Sequence, residues 1–140
     1  MTEILIIWAT PYAYAIIRIS LGLLFFFQAY DKIFRIGLSG VVNEVHQGAE
    51  KRKIPEGFTR FSIYLSSYVE LIGGALLILG LFTLPVLYLF GIHLMLVILG
   101  FSVLKGIWDM SHVFPRLVLL VLLLLLPYQL NILSLDHLLF

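Results

Sequence analysis

The sequence predicts an all-α integral membrane protein: a four-helix bundle with a short interfacial amphipathic helix between spans 1 and 2. Of its 140 residues, 61% are hydrophobic and 12% are charged, and the mean hydropathy of +1.07 is far above that of a water-soluble domain. Four apolar runs, about 11–30, 62–82, 85–104 and 115–135, each have the length of ~20 residues needed to cross the hydrocarbon layer. We expect a single domain, residues 1–140, with one long loop at 31–60.

The first span has the features of a retained helix rather than a cleaved leader. It lacks a basic segment ahead of its apolar run and a small-residue cleavage site before Asp31. The chain contains no cysteine, which excludes thiol–disulfide exchange, iron–sulfur clusters and thiolate zinc sites built from this chain alone. No set of His, Asp and Glu has metal-ligand spacing, and the net charge of +1 gives no reason to expect a nucleic acid partner.

Basic residues predict the orientation. Of the nine Lys and Arg, Arg18 lies deep inside the first span. The others lie in or beside the first and third loops: Lys32, Arg35, Lys51, Arg52, Lys53, Arg60, Lys105 and Arg116. By the positive-inside rule, loops 31–60 and 105–116 face the cytoplasm and both termini face outward. We expect a multi-pass protein of a cell membrane of the bacterial inner-membrane kind.

The long loop contains a candidate amphipathic helix. Val42, Val45 and Ala49 share one helical face, and Pro55 and Gly57 follow as helix breakers. Two interpretations remain open, a connector lying on the lipid headgroups or a docking or ligand-gating element over the bundle.

Glu70 is the most distinctive residue, because an isolated carboxylate near the middle of a span costs several kcal/mol and must face protein. Its side of the second helix also carries small residues that let another helix approach. These are Gly73, Gly74 and Gly80, with Gly22 on the facing side of the first helix. The acid-bearing face is therefore also predicted to be the packing face.

The first span offers Glu70 a partner, since Arg18, Phe25 and Lys32 share the helical face of Gly22. We predict an Arg18–Glu70 pair, with Gln28 or Lys32 as the alternative partner of Glu70. Asp136 is a competing partner for Arg18. Such a pair either fixes the packing register or lines a polar pocket for a headgroup or a quinone-like ring, with proton exchange at Glu70.

Other polar residues receive simpler interpretations. We expect His93 in the third span to hydrogen-bond a neighbouring helix, and no b-type haem, since the remaining histidines lie in loops or at ends. Asp31 can pair with Arg35, which would leave Lys32 free for a phosphate or an anionic ring substituent. A rim of solvated residues is expected at the end of the third span: Lys105, Asp109, His112 and Arg116.

Three parts of the chain resemble the DoxX family of small four-helix membrane proteins. They are the run Arg18…Gly22…Phe25…Lys32, the segment ELIGGALLILGLFT from Glu70 to Thr83, and the closing LSLD at Asp136. The family takes its name from a subunit of a thiosulfate:quinone oxidoreductase. The resemblance therefore implies a link to membrane redox assemblies and marks Arg18, Lys32, Glu70 and Asp136 as positions of interest.

The resulting functional hypothesis is a small integral subunit with a polar intrabundle pocket that supports a quinone-linked redox assembly. A quinone or a lipid is the candidate small molecule, and we assign no reaction to this chain alone. Candidate partners are membrane lipid, a membrane or membrane-associated protein, and a second copy of the chain. The alternatives are a non-enzymatic scaffold or assembly factor and, third, a transporter of a small solute.

Overall fold

The computed structural model describes the backbone of residues 2–104 and 107–140 and the side chains of residues 9–104 and 110–140. Every regular element in those ranges is helical, so the all-α prediction is confirmed. Six α-helices follow in order: α1 Thr2–Tyr30, α2 Leu38–Glu50, α3 Glu56–Leu79, α4 Thr83–Leu104, α5 Phe114–Leu125 and α6 Leu135–Leu139. Lys105, at the start of the predicted second basic loop, and the side chain of Asp109 lie outside the described residues.

Within the described ranges, three helices are long and apolar enough to cross a membrane, namely Ala9–Ile36, Glu56–Leu79 and Thr83–Leu104. The first is longer than predicted, because α1 continues into a π-helical turn, Asp31–Ile36, and ends only at Gly37 with φ +81°. The second begins directly after Pro55, whose extended backbone precedes the first turn of α3. Loop 31–60 is therefore mostly helical.

The predicted fourth run, 115–135, is not one continuous helix. Helix α5 ends at Leu125, and Leu126 adopts an extended backbone with ψ 142°. Pro127 explains the break, since proline has no N–H to donate and disfavours the helical conformation in the residue before it. A single 3₁₀ turn, Tyr128–Leu130, and the short α6 follow.

Helices α1 and α3 form the most extensive contact of the bundle. A Cβ atom built on Gly74 would lie 2.7 Å from Phe26 N and 2.8 Å from Gly22 O, so the two backbones touch at this point. Gly73 admits the Phe90 ring in the same way. Gly80 ends α3 in the left-handed conformation at φ +69°, and a Cβ built there would lie 2.6 Å from Ser134 Cβ, so it too admits a neighbouring segment.

Helix α2 lies against α3, with a smaller contact to α4. Its buried residues are Leu38, Val42 and Ala49, whereas Val45 is only half-buried. The apolar face of α2 therefore packs on the bundle at the end where α1 finishes and α3 begins.

Candidate functional site

Glu70 is the centre of a polar cluster inside the bundle. It is 3% exposed, and both of its carboxylate oxygens are bonded. Lys32 Nζ lies 2.7 Å from Oε2, His93 Nε2 lies 2.9 Å from Oε1, and Ser66 Oγ donates to Oε1 at 3.3 Å. We call Lys32, Ser66, Glu70 and His93 the inner cluster.

Three elements position the inner cluster. Lys32 comes from the π-helical turn after α1, His93 from the middle of α4, and Glu70 with Ser66 from one face of α3. The Lys32 side chain is 20% exposed, whereas that of Glu70 is 4% exposed. The ion pair therefore runs from the bundle surface into its interior.

A cavity of about 70 Å³ lies beside the inner cluster, a volume comparable to about two water molecules. Its polar wall consists of Gln28, Glu70, His93, His112 and Arg116, and the rest is apolar. Because His112 is exposed, one side of the cavity reaches the surface at the end of the bundle where α5 begins.

Arg116 is buried, not part of a solvated rim as the sequence suggested. It is 9% exposed. One terminal nitrogen donates to His112 O and the other to Leu24 O at 3.3 Å. The guanidinium lies 5.6 Å from the centroid of the Phe25 ring, and Nε has no hydrogen-bond partner among the described atoms. Arg116 starts the row continued by Leu120 and Leu123, both buried, so helical periodicity along α5 is the signal that could have identified it.

Arg18 and Asp136 belong to a second polar cluster at the opposite end of the bundle. Arg18 is 2% exposed. Its Nη2 donates to Leu133 O at 2.7 Å, and its Nε and Nη1 are without a partner within the described part of the chain. The guanidinium lies over Gly80, where an added Cβ would coincide with Nη1.

Asp136 caps the beginning of α4. Its carboxylate accepts hydrogen bonds from Phe82 N at 2.6 Å, Thr83 N at 2.7 Å and Tyr128 Oη at 3.2 Å. Burial disfavours the charged carboxylate, but the hydrogen bonds from Thr83 and Phe82 outweigh burial and lower the pKa of Asp136 below its ordinary value. We call Arg18, Thr83, Tyr128 and Asp136 the outer cluster.

The predicted Arg18–Glu70 pair is wrong. Gly80, which Arg18 covers, follows Glu70 by ten residues, or about 15 Å of helix. Helical side chains tilt toward the N-terminus of their own helix. Lys32, in the π-helical turn after α1, therefore points back toward the level of Glu70, whereas Arg18 on α1 points away from it. The alternative pair, Lys32 with Glu70, is the one formed. Arg18 is left near Asp136, whose charge acts on it without a direct ion pair in the described structure.

The remaining expectations have separate outcomes. Asp31 pairs with Arg35 at 3.2 Å, but Lys32 is not left free for an anion, because Glu70 holds it. His93 bonds a neighbouring helix as expected. Gln28 lies at the cavity wall. The described residues contain no group of three or more His, Asp and Glu that could hold a metal ion.

Comparison with known proteins places the sequence in a family. The sequence model of the DoxX family matches residues 13–105, which is more than half of the chain. The matched segment includes Lys32, Glu70 and His93 but stops before Arg116 and Asp136. Neither a curated protein nor a solved structure matches the chain significantly.

Proposed function

The chain belongs to the DoxX family of membrane proteins, and from this premise we propose that it binds the polar head of a quinone-like molecule at the inner cluster and supports a membrane redox assembly. The observation that carries the proposal is Glu70, a buried carboxylate bonded to Lys32 and His93 beside a small cavity. Ionisable groups at this depth are costly and commonly belong to ligand sites or proton relays.

The residues around the cavity fit the carbonyl edge of a quinone. Gln28, His93 and Arg116 can each offer an N–H donor to an oxygen atom there. The volume of about 70 Å³ accommodates such an edge rather than an entire ring. When bound, a quinone supplies the electron-accepting chemistry; this chain has no cysteine with which to deliver electrons, so the proposal includes a redox partner protein.

The chain's own part in this proposal is to bind and to hold protons. Lys32 is partly exposed, Glu70 is buried, and His93 bonds Glu70 and lines the cavity. These three groups form a hydrogen-bonded row along which a proton can pass between the surface and the cavity. His93 presents one ring nitrogen to Glu70, so its tautomer decides in which direction that hydrogen bond is donated.

The membrane arrangement completes the proposal. We place α5 in the membrane as a fourth, shorter span beside the three long helices, with α2 at the cytoplasmic interface. The inner cluster then lies toward the cytoplasm and the outer cluster toward the exterior, in a membrane of the bacterial inner-membrane kind.

The test is quinone content and binding. We expect protein purified in native lipid to retain a quinone, and Glu70→Gln and Lys32→Gln to lose it while still inserting into the membrane. Glu56→Gln is the matched control, since Glu56 lies on the same helix but forms an exposed pair with Arg60. Quinone content unaffected by Glu70→Gln and Lys32→Gln would remove the inner cluster from the function.

A scaffold or assembly factor is the second candidate, and the small cavity volume favours it. In that case the inner cluster only holds α1, α3 and α4 in register. A stoichiometric protein partner, or a second copy, that remains bound to the Glu70→Gln variant and copurifies without quinone would support it.

A further inference from the structure

Arg116 has an unusual environment for a buried cation. Its terminal nitrogens bond only backbone carbonyls, of His112 and Leu24, and its Nε–H has no partner among the described atoms. No ion pair to a described carboxylate is formed by Arg116. The side chain also forms part of the wall of the cavity beside the inner cluster. The side chain that carries this unbonded donor therefore borders a cavity that can hold a small ligand.

Among the described side chains, the charges around this cavity do not cancel. Glu70 is the carboxylate in its described wall, and Lys32 already holds it at 2.7 Å. Arg116 thus adds a second positive charge against the single negative charge in the described part of the wall. The Phe25 ring, 5.6 Å from the guanidinium, offers a weak attraction to a cation but accepts no proton from Nε. A buried charge without compensation is strongly unfavourable, and an anionic ligand would provide the compensation.

We infer that the cavity receives a singly charged anionic oxygen, which accepts a hydrogen bond from Arg116 Nε. Two sources carry this chemistry, a small free oxyanion such as formate, and a deprotonated hydroxyl on a quinone-like ring. The volume of about 70 Å³ holds a three-atom oxyanion completely or the oxygen-bearing edge of a ring. The inference rests on the proposed function, because it names the ligand chemistry at the same site. Arg116 lies beyond the residues that the DoxX model matches.

The experiment measures ligand binding to the full-length protein in detergent and chloride-free buffer by calorimetry. The probes are formate, an anionic hydroxynaphthoquinone, and the matching neutral naphthoquinone. We expect saturable binding of formate or of the hydroxynaphthoquinone. Arg116→Gln should weaken that binding by about tenfold to a hundredfold, the usual effect of losing a hydrogen bond to a charged group. Arg116→Lys keeps the charge but loses the terminal nitrogens that bond His112 O and Leu24 O, so it should bind more weakly than the wild type and more tightly than Arg116→Gln.

Two further variants separate an anion site from general loss of structure. Glu70→Gln should bind formate more tightly, because it removes a negative charge from the cavity wall. No merely structural role of Arg116 predicts a gain in that variant. Arg60→Gln is the control for total charge, since Arg60 is exposed and pairs with Glu56, and its binding should equal that of the wild type.

The outcomes also distinguish this inference from the proposed function. Formate binding that depends on Arg116, without binding of either quinone, supports the inference and counts against the quinone proposal. Preference for the anionic over the neutral naphthoquinone, lost in Arg116→Gln, supports both. Equal binding of the two naphthoquinones, unchanged in Arg116→Gln, overturns the inference and leaves the quinone proposal standing. Failure of the wild type to bind formate and the hydroxynaphthoquinone also overturns it.

Discussion

Glu70 depends on two partners of different kinds. Lys32 supplies a full charge from the end of α1, whereas His93 supplies one ring nitrogen from α4. Removing the partner of a buried charge is far more costly than replacing both charges by apolar groups, because the first change leaves an uncompensated ion in the bundle. The stability of the inner cluster therefore depends on Lys32 and Glu70 being present together.

We expect Lys32→Met to lower the free energy of unfolding by about 3 kcal/mol, the low end of the range for broken buried pairs, since Lys32 is partly exposed. The double variant Lys32→Met/Glu70→Met should recover most of this loss. Arg35→Met is the control, since it breaks an exposed pair in the same turn and should change stability by less than about 1 kcal/mol. Reversible unfolding in mixed micelles measures all three. A double variant as unstable as Lys32→Met would contradict this account.

Asp136 provides a second prediction at the residue scale. Asp136→Asn weakens the bonds from Phe82 N and Thr83 N and leaves Arg18 without the nearby negative charge. We expect a loss of about 1–3 kcal/mol of unfolding free energy. Asp31→Asn, at an exposed acid, is the matched control.

The contribution of Asp136 to stability should fall as the pH is lowered. Because the folded-state pKa of Asp136 is lowered, its stabilisation is present above its ordinary value of 3.8 and disappears as the pH falls through the lower folded-state value. The wild type should therefore lose more stability than Asp136→Asn between pH 5 and strong acid, as thermal unfolding at several pH values can measure. Parallel curves for the two proteins would show that Asp136 makes no such contribution.

At the scale of helices, the contact between Gly22 and Gly74 fixes the offset of α1 against α3. Gly74→Ala would place a methyl group against backbone atoms of Phe26 and Gly22, which cannot rotate away. We expect a destabilisation of about 1–3 kcal/mol, measured by thermal unfolding. The control is Gly57→Ala in the same helix, because a Cβ at Gly57 meets nothing within 4 Å. Equal stability of the two variants would mean that α1 and α3 can separate at little cost.

This offset also explains which parts of the site could be predicted. The sequence identified Glu70, the small residues beside it and the charged face of α1, because helical periodicity alone gives them. It could not choose between Arg18 and Lys32 for Glu70, since both lie on that face. Because Gly22 faces Gly74, Glu70 lies near the level of residue 26 on α1. Measured along the helix axis from that level, Lys32 is about 9 Å away and its side chain points back toward Glu70. Arg18 is about 12 Å away in the other direction, and its side chain points away from Glu70.

For the whole molecule, four spans require that the two ends of α5 lie on opposite sides of the membrane. The absence of native cysteine makes this testable by labelling single introduced cysteines in intact cells. We expect Gln129→Cys to react with an impermeant reagent from outside, and Gln47→Cys to react only after the membrane is opened. Both side chains are exposed, so burial does not limit either reaction. Labelling of both positions from the same side would show that α5 does not cross.

The architecture of the whole chain, like the site, could be predicted only in part. Composition and the lengths of the apolar runs were sufficient for an all-α membrane protein and for its three long helices. The end of the last helix was not predicted, because the leucines before Pro127 and the polar residues after it were interpreted as one span. The burial of Arg116 was also missed, since a basic residue beside a loop ordinarily indicates the membrane surface.

The length of α5 has a consequence for the surrounding lipid. Its 12 residues extend about 18 Å, and the apolar helical segment that contains it, Met110–Leu125, extends about 24 Å, which is still short of a hydrocarbon layer of ~30 Å. In the proposed four-span arrangement, acyl chains along this flank shorten or tilt to match it, at a cost of fractions of a kcal/mol for each ångström of mismatch. Neighbouring molecules that cover the flank would relieve this compression. The protein should accordingly concentrate in thinner regions of the bilayer and associate along its α5 side as the membrane thickens.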